Sequence, residues 1–202
     1  MDIAILLFDN YTALDLIGPY EVLSKLPETQ FYFTGLTKGE YRNSKGLKII
    51  ADHSIDDISK TDILLIPGGF GIDALLGNEP LLKWIIKIDK ISQWTVSVCS
   101  GSLLLAQAGL LKGKNCTTHW RRKKQLSSFD LNIKDERYVQ DGKIITSAGV
   151  SAGIDMALYL ASKISNDKTA KIIQLAIEYD PKPPFDCGSP EKAPDEILKI
   201  LG

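Results

Sequence analysis

The sequence predicts a doubly wound α/β sandwich with a mostly parallel central sheet. Three observations carry that expectation. Strand-like runs alternate with stretches of helical spacing along most of the chain, the pattern of βαβ units. Most of the strand-like runs are too continuously apolar to have a wet face, as in a parallel sheet covered by helices on both sides. The length of 202 residues suits one well-buried domain and is short for two, so a single domain over residues 1–202 is expected.

Taken in order, residues 3–8 form the first apolar run and residues 14–26 the first stretch with helical spacing. Residues 31–34 and 63–66 read as the next strands, and 80–91 as a helix. A strand at 94–98 runs straight into helical spacing at 102–111. The last strand falls at 144–146, followed by helices at 151–165 and 168–179. From about residue 181 the character changes: Pro181, Pro183, Pro184, Pro190 and Pro194 are five of the nine prolines, which excludes a continuous helix or a central strand. Phe185 and the run Ile197, Leu198, Ile200 and Leu201 offer apolar anchors, so this tail is expected to pack on its own domain or on a partner subunit.

Composition excludes several classes. With 44% hydrophobic residues, 24% charged residues and a net charge of -1, nothing argues for a polyanionic partner. The start of the chain lacks a basic region and a cleavage site, and no apolar run reaches the roughly 18 residues of a membrane span. Three widely spaced cysteines, Cys99, Cys116 and Cys187, argue against a disulfide framework or a zinc site. The expectation is a cytoplasmic protein with reduced thiols, without metal, cofactor, nucleic-acid or membrane partner. The run Arg121, Arg122, Lys123 and Lys124 reads as a solvated face opening a helix.

One stretch carries chemistry. Thr95 to Val98 is a short buried strand, Cys99 follows at once, and a helix begins among small residues. A sharp strand-to-helix turn pushes its central side chain out at the sheet edge, and closing it needs small neighbours such as Ser97, Ser100 and Gly101. The helix would turn its N-terminal amides and positive dipole end toward the sulfur, so Cys99 is expected to be a nucleophile with a depressed pKa. Cys116, in a probable strand, and Cys187, in the tail, are expected to be bystanders.

Ligands of open α/β sheets bind beyond the carboxyl ends of the strands, and three further local sequences fall at such ends. Asp15 follows the first strand; its carboxyl either caps the helix or faces the sulfur and exchanges a proton with substrate. Pro67-Gly68-Gly69 follows the strand at 63–66; Gly68 and Gly69 either only close a tight turn or let backbone N–H groups approach a developing anion, with Ser100 N–H as second donor. Thr117, Thr118 and His119 follow the segment around Cys116, where His119 is a packing residue beside Trp120 or a partner for the thiol.

These residues resemble the ThiJ/PfpI superfamily, and within it isocyanide (isonitrile) hydratases. The resemblance is carried by Leu14-Asp15-Leu16-Ile17-Gly18-Pro19, Ile66-Pro67-Gly68-Gly69 and Ser97-Val98-Cys99-Ser100-Gly101-Ser102. It continues through Ala108-Gly109-Leu110-Leu111, Thr117-Thr118-His119-Trp120, Ser151-Ala152-Gly153-Ile154-Asp155 and the tail around Pro183-Pro184-Phe185. It implies a flavodoxin-like fold, a homodimer, Cys99 as nucleophile, and Asp15 where many members carry glutamate. The hydratases have threonine after the cysteine; Ser100 keeps the hydroxyl and loses the methyl. The protease-like branch has histidine there, which counts against peptide hydrolysis.

The expected function is a cofactor-free hydratase converting an isocyanide to an N-substituted formamide, with Cys99 attacking the terminal carbon and Asp15 moving the proton. Two alternatives stand beside it: a non-enzymatic redox- or ligand-sensing role, and another cysteine-dependent reaction of glyoxalase or amidase type. The homodimer has an independent hint in residues 16–26, where Leu16, Ile17, Tyr20, Val22, Leu23 and Leu26 exceed the apolar stripe that one sheet contact needs.

Overall fold

The computed structural model describes residues 1–201. The chain runs β1 (Asp2–Leu6), α1 (Ala13–Leu23), β2 (Gln30–Gly35), β3 (Gly39–Arg42), β4 (Lys48–Ala51), β5 (His53–Ser54), β6 (Ile63–Ile66), α2 (Ile72–Leu75) and α3 (Glu79–Ile91). It continues with β7 (Trp94–Val98), a 3-10 turn (Cys99–Gly101), α4 (Ser102–Gln107), β8 (Asn115–Cys116), a second 3-10 turn (Trp120–Arg122), α5 (Lys123–Leu126) and β9 (Asn132–Ile133). The last elements are β10 (Tyr138–Asp141), β11 (Ile144–Ser147), α6 (Ala152–Ile164), α7 (Asp167–Ala176) and α8 (Asp195–Leu201).

Seven strands form one sheet in the order β10-β11-β7-β6-β1-β2-β5. All neighbours are parallel except β10, which pairs antiparallel with β11 at one edge. The continuous apolar runs follow from this burial. Side chains alternate across a strand, so Ala4, Leu6, Leu64 and Ile66 face a layer containing Leu81, Trp84, Ile85 and Ile88 of α3 and Leu103 to Leu105 of α4. Ile3, Ile5, Ile63, Leu65, Val96 and Val98 face the other layer, with Leu16, Val22 and Leu23 of α1 and Met156, Ala157 and Leu160 of α6. Each such Leu or Ile contributes roughly 1.5–3 kcal/mol on leaving water, so strand identity here is set by the demand for apolar residues on both faces.

Local signals place the helices between them. Asn78 caps α3 by accepting from the Leu81 N–H at 3.0 Å, Pro80 sits in its first turn, and Lys90 lies in its last. The helix expected over 102–111 stops at Gln107, because Gly109 takes a left-handed φ of 76° that ends it. The helix expected over 14–26 stops at Leu23 and unwinds through turn hydrogen bonds at Lys25 and Leu26.

The β3–β4 hairpin, the two-residue edge strand β5 and the antiparallel edge β10 were not among the expected elements. They are two to four residues long and, apart from Ile49–Ala51 of β4, largely polar or mixed, so they lack the apolar run by which the inner strands are recognised.

The tail forms a turn and then α8 after Pro194, but it does not anchor as expected on its own domain. Phe185 is 78% exposed and α8 has no buried residue. Residues 188–191 border a cavity of about 310 Å³ with Lys123 and Arg137 of the domain. The apolar excess of α1 is met mainly by the same chain: α1 crosses α6 closely enough that a Cβ on Gly18 would lie 3.1 Å from Ile154, and one on Gly153 would lie 3.2 Å from Pro19. Leu14 and Ile17 remain more than a third exposed.

Candidate active site

The strands β11, β7, β6 and β1 are neighbours in the sheet, and the loops leaving their carboxyl ends meet over its edge. Cys99 sits at the end of β7 with φ of 58°, a left-handed conformation that a non-glycine residue adopts only when its surroundings enforce it. Its N–H donates to the Ala148 carbonyl at 3.0 Å, and its carbonyl accepts from the Thr118 hydroxyl at 2.9 Å and the Ser102 hydroxyl at 3.2 Å. Gly101 makes the elbow possible, since a Cβ there would lie 2.3 Å from the Ile66 carbonyl oxygen.

Asp15 lies in the first turn of α1 and is fully buried, while Thr12 occupies the cap position. The capping alternative therefore does not describe its carboxyl. Oδ2 accepts from the Gly68 N–H at 3.0 Å, and Oδ1 is buried with no hydrogen-bond partner. The Cys99 thiol is the group beside it. Burial raises the Asp15 pKa to about 7, against the opposing pull of the Gly68 amide and the thiol.

The Cys99 pKa moves opposite to the sequence expectation. Burial and the negative charge of Asp15 push it up to about 12, outweighing the Ser100 and Val150 amides that face the sulfur and favour thiolate. A dipole at a helix start is worth at most ~2 kcal/mol, too little against a buried carboxylate in contact. The resting pair is therefore a thiol beside a carboxyl that titrates near neutrality. Cys116, buried in β8, is also pushed up, to about 11, by burial and Asp141.

Gly68 and Gly69 have different employment from that expected. The Gly68 N–H is committed to Asp15, and the Gly69 N–H donates to Ser100 Oγ at 3.0 Å, which donates back to the Gly69 carbonyl at 3.2 Å. A Cβ on Gly68 would lie 2.6 Å from Ser100 N and 2.8 Å from Asp15 Oδ2. The glycines let Asp15 and Ser100 approach each other's loops. The amides left to face the sulfur are those of Ser100 and Val150.

Val150, at φ of 42°, was absent from the sequence reading, as was Gly149. The available signal was the small run Ser147-Ala148-Gly149, which leads from a strand into α6 much as Ser97 to Gly101 leads into α4. Gly149 is needed because a Cβ there would come within 2.4 Å of His119 Cδ2. His119 accepts from the Arg121 N–H through Nδ1 at 3.3 Å, so its neutral ring carries the proton on Nε2. Burial, then Arg121 and Arg122, depress its pKa.

These groups open into a cavity of about 540 Å³ whose walls include Thr12, Phe70, His119, Trp120 and Val150, with Cys99 and Ser100 at its base. Arg121 and Arg122 also line it. The run is solvated as expected at Arg121 and Lys124, which are exposed, but its first two charges belong to the 3-10 turn at the cavity lip and Lys123 pairs with Asp135. Among the described residues, no group of three or more His, Cys, Asp or Glu side chains is placed to hold a metal ion.

A sequence profile of the DJ-1/PfpI family matches residues 1–163. The chain belongs to that family. An isonitrile hydratase of Pseudomonas putida is 38% identical over 198 residues, covering 98% of this chain and 87% of that protein. A ThiJ/PfpI family protein from Pseudomonas syringae has a solved structure that superposes with a TM-score of 0.95 at 32% identity, over 99% of this chain and 84% of that one. The family also reaches a helix-turn-helix transcriptional regulator of Pseudomonas aeruginosa, CdhR, which is 33% identical over 63% of this chain and matched over 38% of its own length. The doubly wound, mostly parallel fold expected from the sequence is that of this DJ-1/PfpI chain.

Proposed function

We propose that this DJ-1/PfpI protein hydrates an isocyanide to an N-substituted formamide through a covalent intermediate on Cys99. The observation that supports the reading best is the Asp15–Cys99 pair: a buried carboxyl with a free Oδ1 and a pKa of about 7, against a thiol that holds its proton. A group that titrates near neutrality can take and return a proton at working pH. The similarity to an isonitrile hydratase supplies the substrate class.

In the first step the thiol proton passes to the Asp15 carboxylate as sulfur attacks the terminal isocyanide carbon. Asp15 then delivers that proton to the same carbon, leaving a thioimidate with one new C–S and one new C–H bond. The Ser100 and Val150 amides face the sulfur and stabilise negative charge as it develops there. In the second step Asp15 takes a proton from water, whose oxygen adds to the thioimidate carbon. The C–S bond breaks, the nitrogen gains a proton and the thiol is restored. The sum is R–NC plus water giving R–NH–CHO, with no redox change.

The sensing alternative has less support, because redox sensors rely on an accessible thiolate and Cys99 is 8% exposed with a raised pKa. The reading includes a single cytoplasmic domain that acts as a homodimer, with Leu14 and Ile17 of α1 in the interface. Its test is formamide release from several isocyanides. Release by the parent and its loss in Cys99→Ala are expected; no release by the parent, or undiminished release by the variant, would overturn the reading.

A further inference from the structure

The lip of the cavity carries more positive charge than a neutral isocyanide can use. Arg121 and Arg122 both line it, and none of its described lining residues is acidic. Asp73 accounts for one nitrogen of Arg122, an ion pair outside the lining set. Arg122 Nε remains buried with no hydrogen-bond partner. Among the described residues no carboxylate pairs with Arg121, whose Cζ lies 6.0 Å from the centroid of the Trp120 ring. A buried guanidinium nitrogen left unpaired is costly. Two guanidinium groups, Arg121 exposed and without a carboxylate and Arg122 tied to Asp73 alone, line a cavity that holds a cysteine, in a chain of net charge -1, and they call for an anionic occupant.

We propose that the substrate is an isocyanide bearing a carboxylate, held by the guanidinium groups of Arg121 and Arg122 at the cavity lip while its isocyanide carbon reaches Cys99. The proposal rests on the hydratase reading for the reacting group, and on the cavity alone for the carboxylate. Arg121 presents an unoccupied planar fork suited to two parallel hydrogen bonds with a carboxylate. Arg122, anchored to Asp73 through one Nη, adds a second positive charge in a fixed place. Trp120 and Phe70 supply apolar wall for the short linker between the two ends. His119 lies beside both guanidinium groups and reports on them, since their charge lowers its pKa.

The experiment compares isocyanoacetate with its methyl ester, a pair that differs chiefly in charge. The parent is expected to favour the acid at least tenfold in kcat/KM, mostly through KM. The ratio should fall toward one in Arg121→Gln and shrink with added salt. Turnover of the ester equal to or above that of the acid would overturn the carboxylate site and leave the hydratase reading intact. A second arm needs no turnover. The chain has two histidines, and His53→Gln assigns their NMR signals. N-formylglycine, the expected product, should raise the His119 pKa, whereas its methyl ester should not. If no isocyanide is hydrated, the hydratase reading fails and this arm alone decides: an upward movement keeps the anion site, and none removes it.

Discussion

Asp15 and Cys99 shift each other in opposite senses: burial holds the proton on the carboxyl to about 7 and on the thiol to about 12, the Asp15 charge adds to the thiol's rise, and the thiol pulls Asp15 down. Removing that charge should lower the thiol pKa. Asp15→Asn is therefore expected to speed alkylation of Cys99 at pH 8 by about tenfold, since an adjacent like charge is worth a pKa unit or more. Mass spectrometry on the alkylated peptide checks it, and a slower or equal rate would return the thiol to the control of its helix start.

The same substitution should abolish turnover while leaving the fold. Asparagine still accepts from the Gly68 N–H but cannot carry a proton between thiol and carbon, so a loss of at least ~10²-fold is expected in kcat. In the parent, kcat/KM should climb as Asp15 ionises, with a rising limb near pH 7 and no fall through pH 9. The pH profile of formamide release measures both. A limb that persists unchanged in the variant would assign it to another group.

Stability should respond to pH in the opposite sense. Asp15 has its ordinary value of 3.8 in the unfolded chain and about 7 when folded, so between those values the folded protein binds more protons. Stability contributed by this group is then lost as pH rises from about 4 to 7, and the loss levels off above 7. Relative to Asp15→Asn, the parent should lose roughly 2–4 kcal/mol across that window, at about 1.4 kcal/mol per pKa unit. Urea unfolding at pH 4.5 and pH 8 gives the comparison.

Two glycines separate the site from the scaffold. Gly68→Ala drives a methyl against Ser100 N and Asp15 Oδ2, and should cost ~1–3 kcal/mol together with at least tenfold in turnover. Gly109→Ala meets nothing within 4 Å but must adopt φ of 76°, so it should cost about 1 kcal/mol and spare turnover. Thermal melts beside formamide assays distinguish the two.

The proposed dimer is checked by light scattering at micromolar concentration. A mass twice that of the 22.3 kDa chain is expected, and Ile17→Glu should weaken association. A monomeric mass with full activity would place the α1 surface outside any interface.

What was legible in the sequence was local. The inner strands announced themselves because both faces are buried, and the elbow because Ser97, Ser100 and Gly101 must be small around Cys99. The protonation of that thiol was not legible, since it depends first on how deeply the elbow is buried and then on the charge of a carboxylate delivered from another loop. Nor was Val150, a β-branched residue whose φ of 42° nothing in its own side chain favours. The place of the two arginines beside the cavity was not legible, because a run of four charges has the same spelling whether it faces bulk water or a cavity. Gly68 and Gly69 were correctly placed at a close approach, but the groups approaching are Asp15, Ser100 and the backbone of residues 10–12 rather than an open space for an anion.

The order of the strands has a consequence for the newborn chain. By the time Cys99 has been synthesised, Asp15 and Gly68 are already present and β1, β6 and β7 can pair. The Ala148 carbonyl that ties down the Cys99 N–H, and the Val150 amide that faces its sulfur, come from residues made about fifty positions later. Until β11 docks beside β7, the nucleophile stands at an open sheet edge. Contacts that span so much sequence form late in folding, so the early chain carries an unguarded thiol that only β11 and the turn after it enclose.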